Sequence, residues 1–121
     1  MTDRERHLEK YRMFKRDAEN PSVSPPTRVE AYFSAAFHLI EACVAGRGIH
    51  VDKPQQVGAV LEAHADVFGG NTDRVWRAFQ RIENQIRPGQ LYEGKINGEA
   101  VEDAEKSFRE IEEICLKLLR G

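Results

Sequence analysis

Residues 24–48 read "SPPTRVEAYFSAAFHLIEACVAGRG", and this stretch decides the fold. Val29, Phe33, Ala36, Phe37, Ile40, Cys43 and Val44 recur at steps of three and four. That spacing gathers side chains on one face of an α-helix. Tyr32 and Ala35 widen the face. Ser24 is placed to cap the helix, and Pro25 stands at the first helical position, where its missing N–H is harmless. "AGRG" at 45–48 is a stop, with Gly46 or Gly48 as the C-terminal cap. A face this broad predicts the central helix of an all-α protein.

On its N-terminal side, residues 2–19 form a second helical pattern. Thr2 and Glu5 have capping-box spacing. Leu8, Tyr11, Phe14 and Ala18 make a thin apolar stripe among charges, which predicts a helix lying on the outside. "NPSVSPPT" is a stiff linker, because its three prolines disfavour helix.

On the C-terminal side, residues Asp52 to Phe68 predict a third helix with Val57, Val60, Leu61, His64 and Phe68 on one face. "GGNTD" at 69–73 separates it from a fourth, capped by Asn71 or Thr72, with Asp73 favourable in the first turn. Val75, Phe79, Ile82 and Ile86 follow there at a near-heptad step, with Trp76 adding bulk, until Arg87-Pro88-Gly89 ends the pattern. From Asn97 or Gly98, Val101, Ala104, Phe108, Ile111, Cys115 and Leu118 give a fifth stripe. Steps of ~3.5 residues favour shallow crossing. Short connections favour antiparallel neighbours. The expected architecture is an up-and-down four- or five-helix bundle in one domain. Residues 1–23 form the outer helix and Pro-rich linker, and 24–121 the bundle.

Composition agrees with a single core. The chain has 121 residues, 40% hydrophobic and 31% charged, a balance that excludes global disorder. No apolar run approaches the ~20 residues of a membrane span, and the charged N-terminus does not read as a secretory signal. A cytoplasmic protein is expected, with Cys43 and Cys115 as buried reduced thiols. Net charge is −2, so the broad basic footprint of a stand-alone nucleic-acid binder is missing.

The chain contains no P-loop, G-x-G-x-x-G, C-x-x-C or H-E-x-x-H. Di-iron bundles need Glu-x-x-His on facing helices. Here Glu62 and Glu5 stand two residues before His64 and His7, so neither a metal nor a cofactor is expected. His7 reads as solvated, His38 as a surface or half-buried residue near Glu41 and Glu30, and His50 as a loop residue. His64 reads as a core histidine. Arg74, Arg77 and Arg81 read as a solvated face of the fourth helix. Arg87 differs, because a cation at a helix C-terminus meets the helix dipole.

The order of these features resembles the HEPN superfamily of small helical proteins. "YFSAAFHLIEACVAGRGIH" at 32–50 is similar to its second helix and turn, and "VLEAHADVF" at 60–68 to its third helix. "RVWRAFQRIENQIRPGQLYEG" at 74–94 is similar to the helix and loop that carry the family signature. "GEAVEDAEKSFREIEEICLKLL" at 98–119 is similar to its closing helix. The signature is an arginine followed, after four to six intervening residues, by a histidine, a pair that supports metal-independent RNA cleavage across a dimer interface. Arg87 matches the arginine. At 92–94 the chain reads Tyr92-Glu93-Gly94, and tyrosine, with a pKa near 10, is a poor general base at neutral pH.

The resemblance therefore implies a catalytically degenerate homodimer that binds a nucleotide, RNA or a partner protein near Arg87 and Tyr92, with Arg81 and Glu83 lining the site. The alternatives it leaves are two. One is a metal-independent endoribonuclease using Arg87 and Tyr92. The other is the non-catalytic partner subunit of a nucleotidyltransferase in a toxin–antitoxin-type pair. Dimerisation is also expected from the fourth helix, since Trp76, Phe79, Ile82 and Ile86 beside arginines read as an interface.

Overall fold

The computed structural model describes residues 1–88 and 98–121. Its elements are α1 (Asp3–Glu19), α2 (Pro25–Ala45), α3 (Val57–Ala63), α4 (Thr72–Gln80) and α5 (Gly98–Arg120). Short 3₁₀ turns at Pro54–Gln56 and Gly69–Asn71 lead into α3 and α4. No strand occurs among the described residues. Among the described residues no helix is long and apolar enough to cross a membrane.

Side-chain contacts fix the directions. His7 meets His38 and Arg28 reaches the Ala18 carbonyl, so α1 and α2 are antiparallel. Phe79 packs on Phe33 and Phe37, and Arg87 further along reaches back to Glu30, so α4 and its continuation also run against α2. Tyr32 meets Glu105 and Cys43 meets the Cys115 carbonyl, so α5 lies along α2 in the same direction. This is an up-and-down helical bundle with α2 at its centre, as the stripe in residues 24–48 predicts.

The core forms where these stripes face each other. Val29, Tyr32, Leu39, Ile40 and Val44 of α2 are fully or almost fully buried, with Phe79 and Ile82 opposite and Phe108, Ile111 and Cys115 from α5. Burying one such side chain contributes roughly 1.5–3 kcal/mol. Both cysteines are buried thiols, and burial pushes the Cys115 thiol well above its ordinary pKa. From α1 only Tyr11 and Ala18 are buried, so its charged face points outward as expected. Thr2 accepts the Glu5 backbone N–H as a cap.

Four expectations need correction. The third helix covers only Val57–Ala63, not Asp52 to Phe68. Pro54 starts a 3₁₀ turn before it, and His64 breaks it with a non-helical backbone at φ −128° and ψ 47°. His64 is consequently half-buried at a helix end rather than a core residue. Second, Ser24 makes no side-chain cap to α2; its hydroxyl pairs with Thr27 instead. Third, the fourth helix does not expose its aromatic stripe. Phe79, Ile82 and Ile86 are buried within the chain, and Trp76 is partly buried. The Trp76 ring lies against Gly58, where a Cβ would come within 2.7 Å of its outer edge, so a side chain at that position would force the ring to shift. The exposed aromatic surface offered for dimerisation is absent among the described residues. Fourth, the helix is not regular to its end. At Arg81–Ile86 it widens into a π-helical segment, a form in which hydrogen bonds run i→i+5 and every later residue changes register.

Candidate functional site

Two charged clusters are built on α2. The first centres on Arg87. Helical conformation continues past the π-helical segment through Arg87 and Pro88, and Arg87 emerges against α2. Its Nε stands 2.9 and 3.1 Å from the two carboxylate oxygens of Glu30. Its guanidinium carbon lies 3.9 Å from the centroid of the Phe33 ring. Phe33 is itself held from behind by Phe79, with ring centroids 5.1 Å apart. The arginine is thus paired and stacked at once, a geometry suited to a planar guanidinium. Both side chains are about one-third exposed, 27% for Arg87 and 32% for Glu30.

Glu83 belongs to the same neighbourhood. Burial raises its pKa above the ordinary carboxylate value, and the positive charge of Arg87 opposes that shift. Arg81 does not join them. It is exposed and faces a groove toward α5, with Arg77, Asp103, Lys106 and Glu110. Tyr92 lies outside the described residues. Of the residues read as a site, Arg87 and Glu83 are brought together and Arg81 is turned away. Glu30 and Phe33 complete the arrangement and were not part of the expectation. Arg77 pairs with Asp73 and Arg74 with Glu110, both at the surface, as a solvated face should.

The second cluster overturns the reading of His7 as solvated and of the chain as lacking a metal-competent set. His38 and Glu41 lie one turn apart on α2, and His7 reaches them from α1. The His7 and His38 Nδ1 atoms are 3.3 Å apart. Glu41 approaches His38 Nδ1 at 3.0 Å and His7 Nε2 at 3.5 Å. The three side chains are only 20%, 16% and 9% exposed. Burial lowers the His7 pKa, with His38 adding to that and the Glu41 carboxylate opposing it. Phe14 stacks on His38 with the two rings 3° from parallel, and Phe37 packs on it at an angle. The sequence does carry a signal for this cluster, since His38-x-x-Glu41 has one-turn spacing. A search for Glu-x-x-His misses it because the order is reversed.

No protein-family model, no curated protein and no solved structure matches the chain.

Proposed function

We propose that the protein is a non-cleaving, HEPN-like interaction module that binds another protein chain through the end of the bundle around Arg87. The first partner to expect is a second copy of this chain. A nucleotidyltransferase subunit of a toxin–antitoxin-type pair is the alternative.

One observation carries the choice of a protein over RNA. The Arg87 guanidinium is already engaged by Glu30 and stacked on Phe33. Glu83 adds a second carboxylate to the same neighbourhood. One carboxylate is paired with the guanidinium and a second lies near enough to feel its charge, a balance that disfavours a polyphosphate backbone. A net charge of −2 points the same way. The reaction chemistry agrees. Metal-independent RNA cleavage needs a group that titrates near neutral pH to move the 2′-hydroxyl proton. Where the resemblance places that group, the chain has Tyr92.

The experiment mixes purified protein with labelled single-stranded RNA in EDTA at low salt, alongside Arg87→Ala. The proposal expects intact RNA and no saturable binding by either protein. It also expects the wild type to sediment as a dimer at micromolar concentration. Cleavage or RNA binding that Arg87→Ala abolishes would overturn it and favour the ribonuclease reading.

A further inference from the structure

Glu41 holds the buried side-chain oxygen, Oε1, that lacks a hydrogen-bond partner among the described residues. A carboxylate taken out of water is costly unless a cation or donors meet it. His38 Nδ1 stands 3.0 Å from that oxygen, yet the approach does not make a hydrogen bond. One ligand atom each from His7, His38 and Glu41 lie within 4.8 Å of one another.

We propose that His7, His38 and Glu41 form a binding site for a divalent first-row transition-metal ion, with zinc the best fit, that ties α1 to α2. The donor set points to this class. Two imidazoles and one carboxylate suit zinc and its neighbours, whereas magnesium and calcium take oxygen ligands. The spacing agrees as well. Tetrahedral zinc with bonds of 2.0–2.1 Å sets its ligands about 3.3 Å apart. Two edges lie close to that value, His7 Nδ1 to His38 Nδ1 at 3.3 Å and His38 Nδ1 to Glu41 Oε1 at 3.0 Å, and one donor atom from each of the three residues falls within 4.8 Å of the others.

The surroundings fit the same occupant. His38 is held between Phe14 and Phe37, which fixes its ring plane and keeps the local dielectric low. Three protein ligands leave a fourth position for water, and the partial exposure of both histidines puts that position at the surface. The consequence is mechanical. α1 lies on the outside of the bundle with only Tyr11 and Ala18 buried, so an ion bridging His7 to His38 and Glu41 adds a cross-link between that outer helix and the central one.

Calorimetric titration of the metal-free full chain with Zn²⁺ tests this, with Co²⁺ as a visible-absorption probe of the same site. The expected result is one ion per chain and a melting temperature that rises with Zn²⁺ concentration, as mass action requires. Mg²⁺ in large excess leaves the titration unchanged. Glu41→Gln and His7→Ala each weaken Zn²⁺ binding by at least ~10-fold, while His50→Ala and His64→Ala bind like the wild type. Because Glu41 is buried, His7→Ala, on the half-exposed face of α1, is the variant that separates ligand loss from misfolding, with helix content followed by circular dichroism. Absence of saturable Zn²⁺ binding to the wild type overturns the proposal and leaves a histidine–glutamate ion pair. So does wild-type affinity in a folded His7→Ala.

Discussion

The two ends of α2 meet a similar problem differently. Glu30 near one end and Glu41 near the other are carboxylates on the same helix. Glu30 faces a permanent cation, Arg87, whose Nε addresses both of its oxygens and whose plane rests on Phe33. Glu41 faces two imidazoles, which are cations only when protonated, and one of its oxygens is left without a hydrogen bond. The first arrangement is closed within the chain and partly exposed. The second is more deeply buried and incomplete. A closed pair is a weak place to look for phosphate chemistry, and an incomplete one is the better place to look for a ligand. The family resemblance directs attention to Arg87, whereas the unsatisfied group is Glu41.

Both clusters depend on α2 being rigid, and the largest effect should come from its packing. Phe79→Ala removes the ring behind Phe33 and should cost about 3–5 kcal/mol. Thermal denaturation measures the loss. If the comparison is right, Arg87 loses its platform, while Zn²⁺ affinity in the folded fraction is kept.

A smaller effect is expected from Arg87 itself. Arg87→Ala should destabilise by about 1–2 kcal/mol, with partial exposure limiting the ion-pair share. Arg87→Lys should recover only part of that, because an ammonium cannot present the planar fork or the stack. Chemical denaturation of both variants checks this. Full recovery in the lysine variant would mean that charge alone matters there.

Between the two clusters, Tyr32 supplies a pH test. Burial, with Glu105 beside the phenol, pushes its pKa from 10.0 up to about 12. Unfolded tyrosine ionises first, so the stability linked to Tyr32 is complete below about pH 10 and is lost as pH rises through about 12. Denaturation midpoints measured from neutral to alkaline pH should fall in that window, and Tyr32→Phe should flatten the fall. Equal slopes would show that Tyr32 is not the group responsible. The smallest effect belongs to Arg81→Ala, which should stay within about 0.5 kcal/mol of the wild type because the side chain is exposed.

Much of the fold was legible because burial is periodic. The stripe from Val29 to Val44 gave the central helix, and Pro25 its start. The fifth stripe gave α5. The third helix was overextended because Val57, Leu61 and Phe68 do face inward, while Pro54 and the backbone at His64 cut the helix on both sides. The surface role given to the fourth helix failed for a different reason. Amphipathicity shows that Phe79, Ile82 and Ile86 share a face, but only the arrangement of α2 and α5 shows that this face is covered. Of the candidate site, Arg87 was legible as a cation before a helix stop. Its pairing with Glu30 was not, because 57 residues separate the partners and a π-helical segment sets the register. The His7–His38–Glu41 cluster needs the register of α1 against α2, which no local pattern encodes.

The reading of the Arg87 end rests on its charge being closed inside the chain, and a double-mutant cycle between Arg87 and Glu30 tests that most directly. Stabilities of the wild type, Arg87→Ala, Glu30→Ala and the double variant give the coupling without assigning either residue a separate share. The account predicts a favourable coupling of about 1 kcal/mol or more, from a pair both stacked and hydrogen-bonded. Additive losses, with coupling within about 0.3 kcal/mol of zero, would contradict it and return Arg87 to the solvent as a cation available to phosphate.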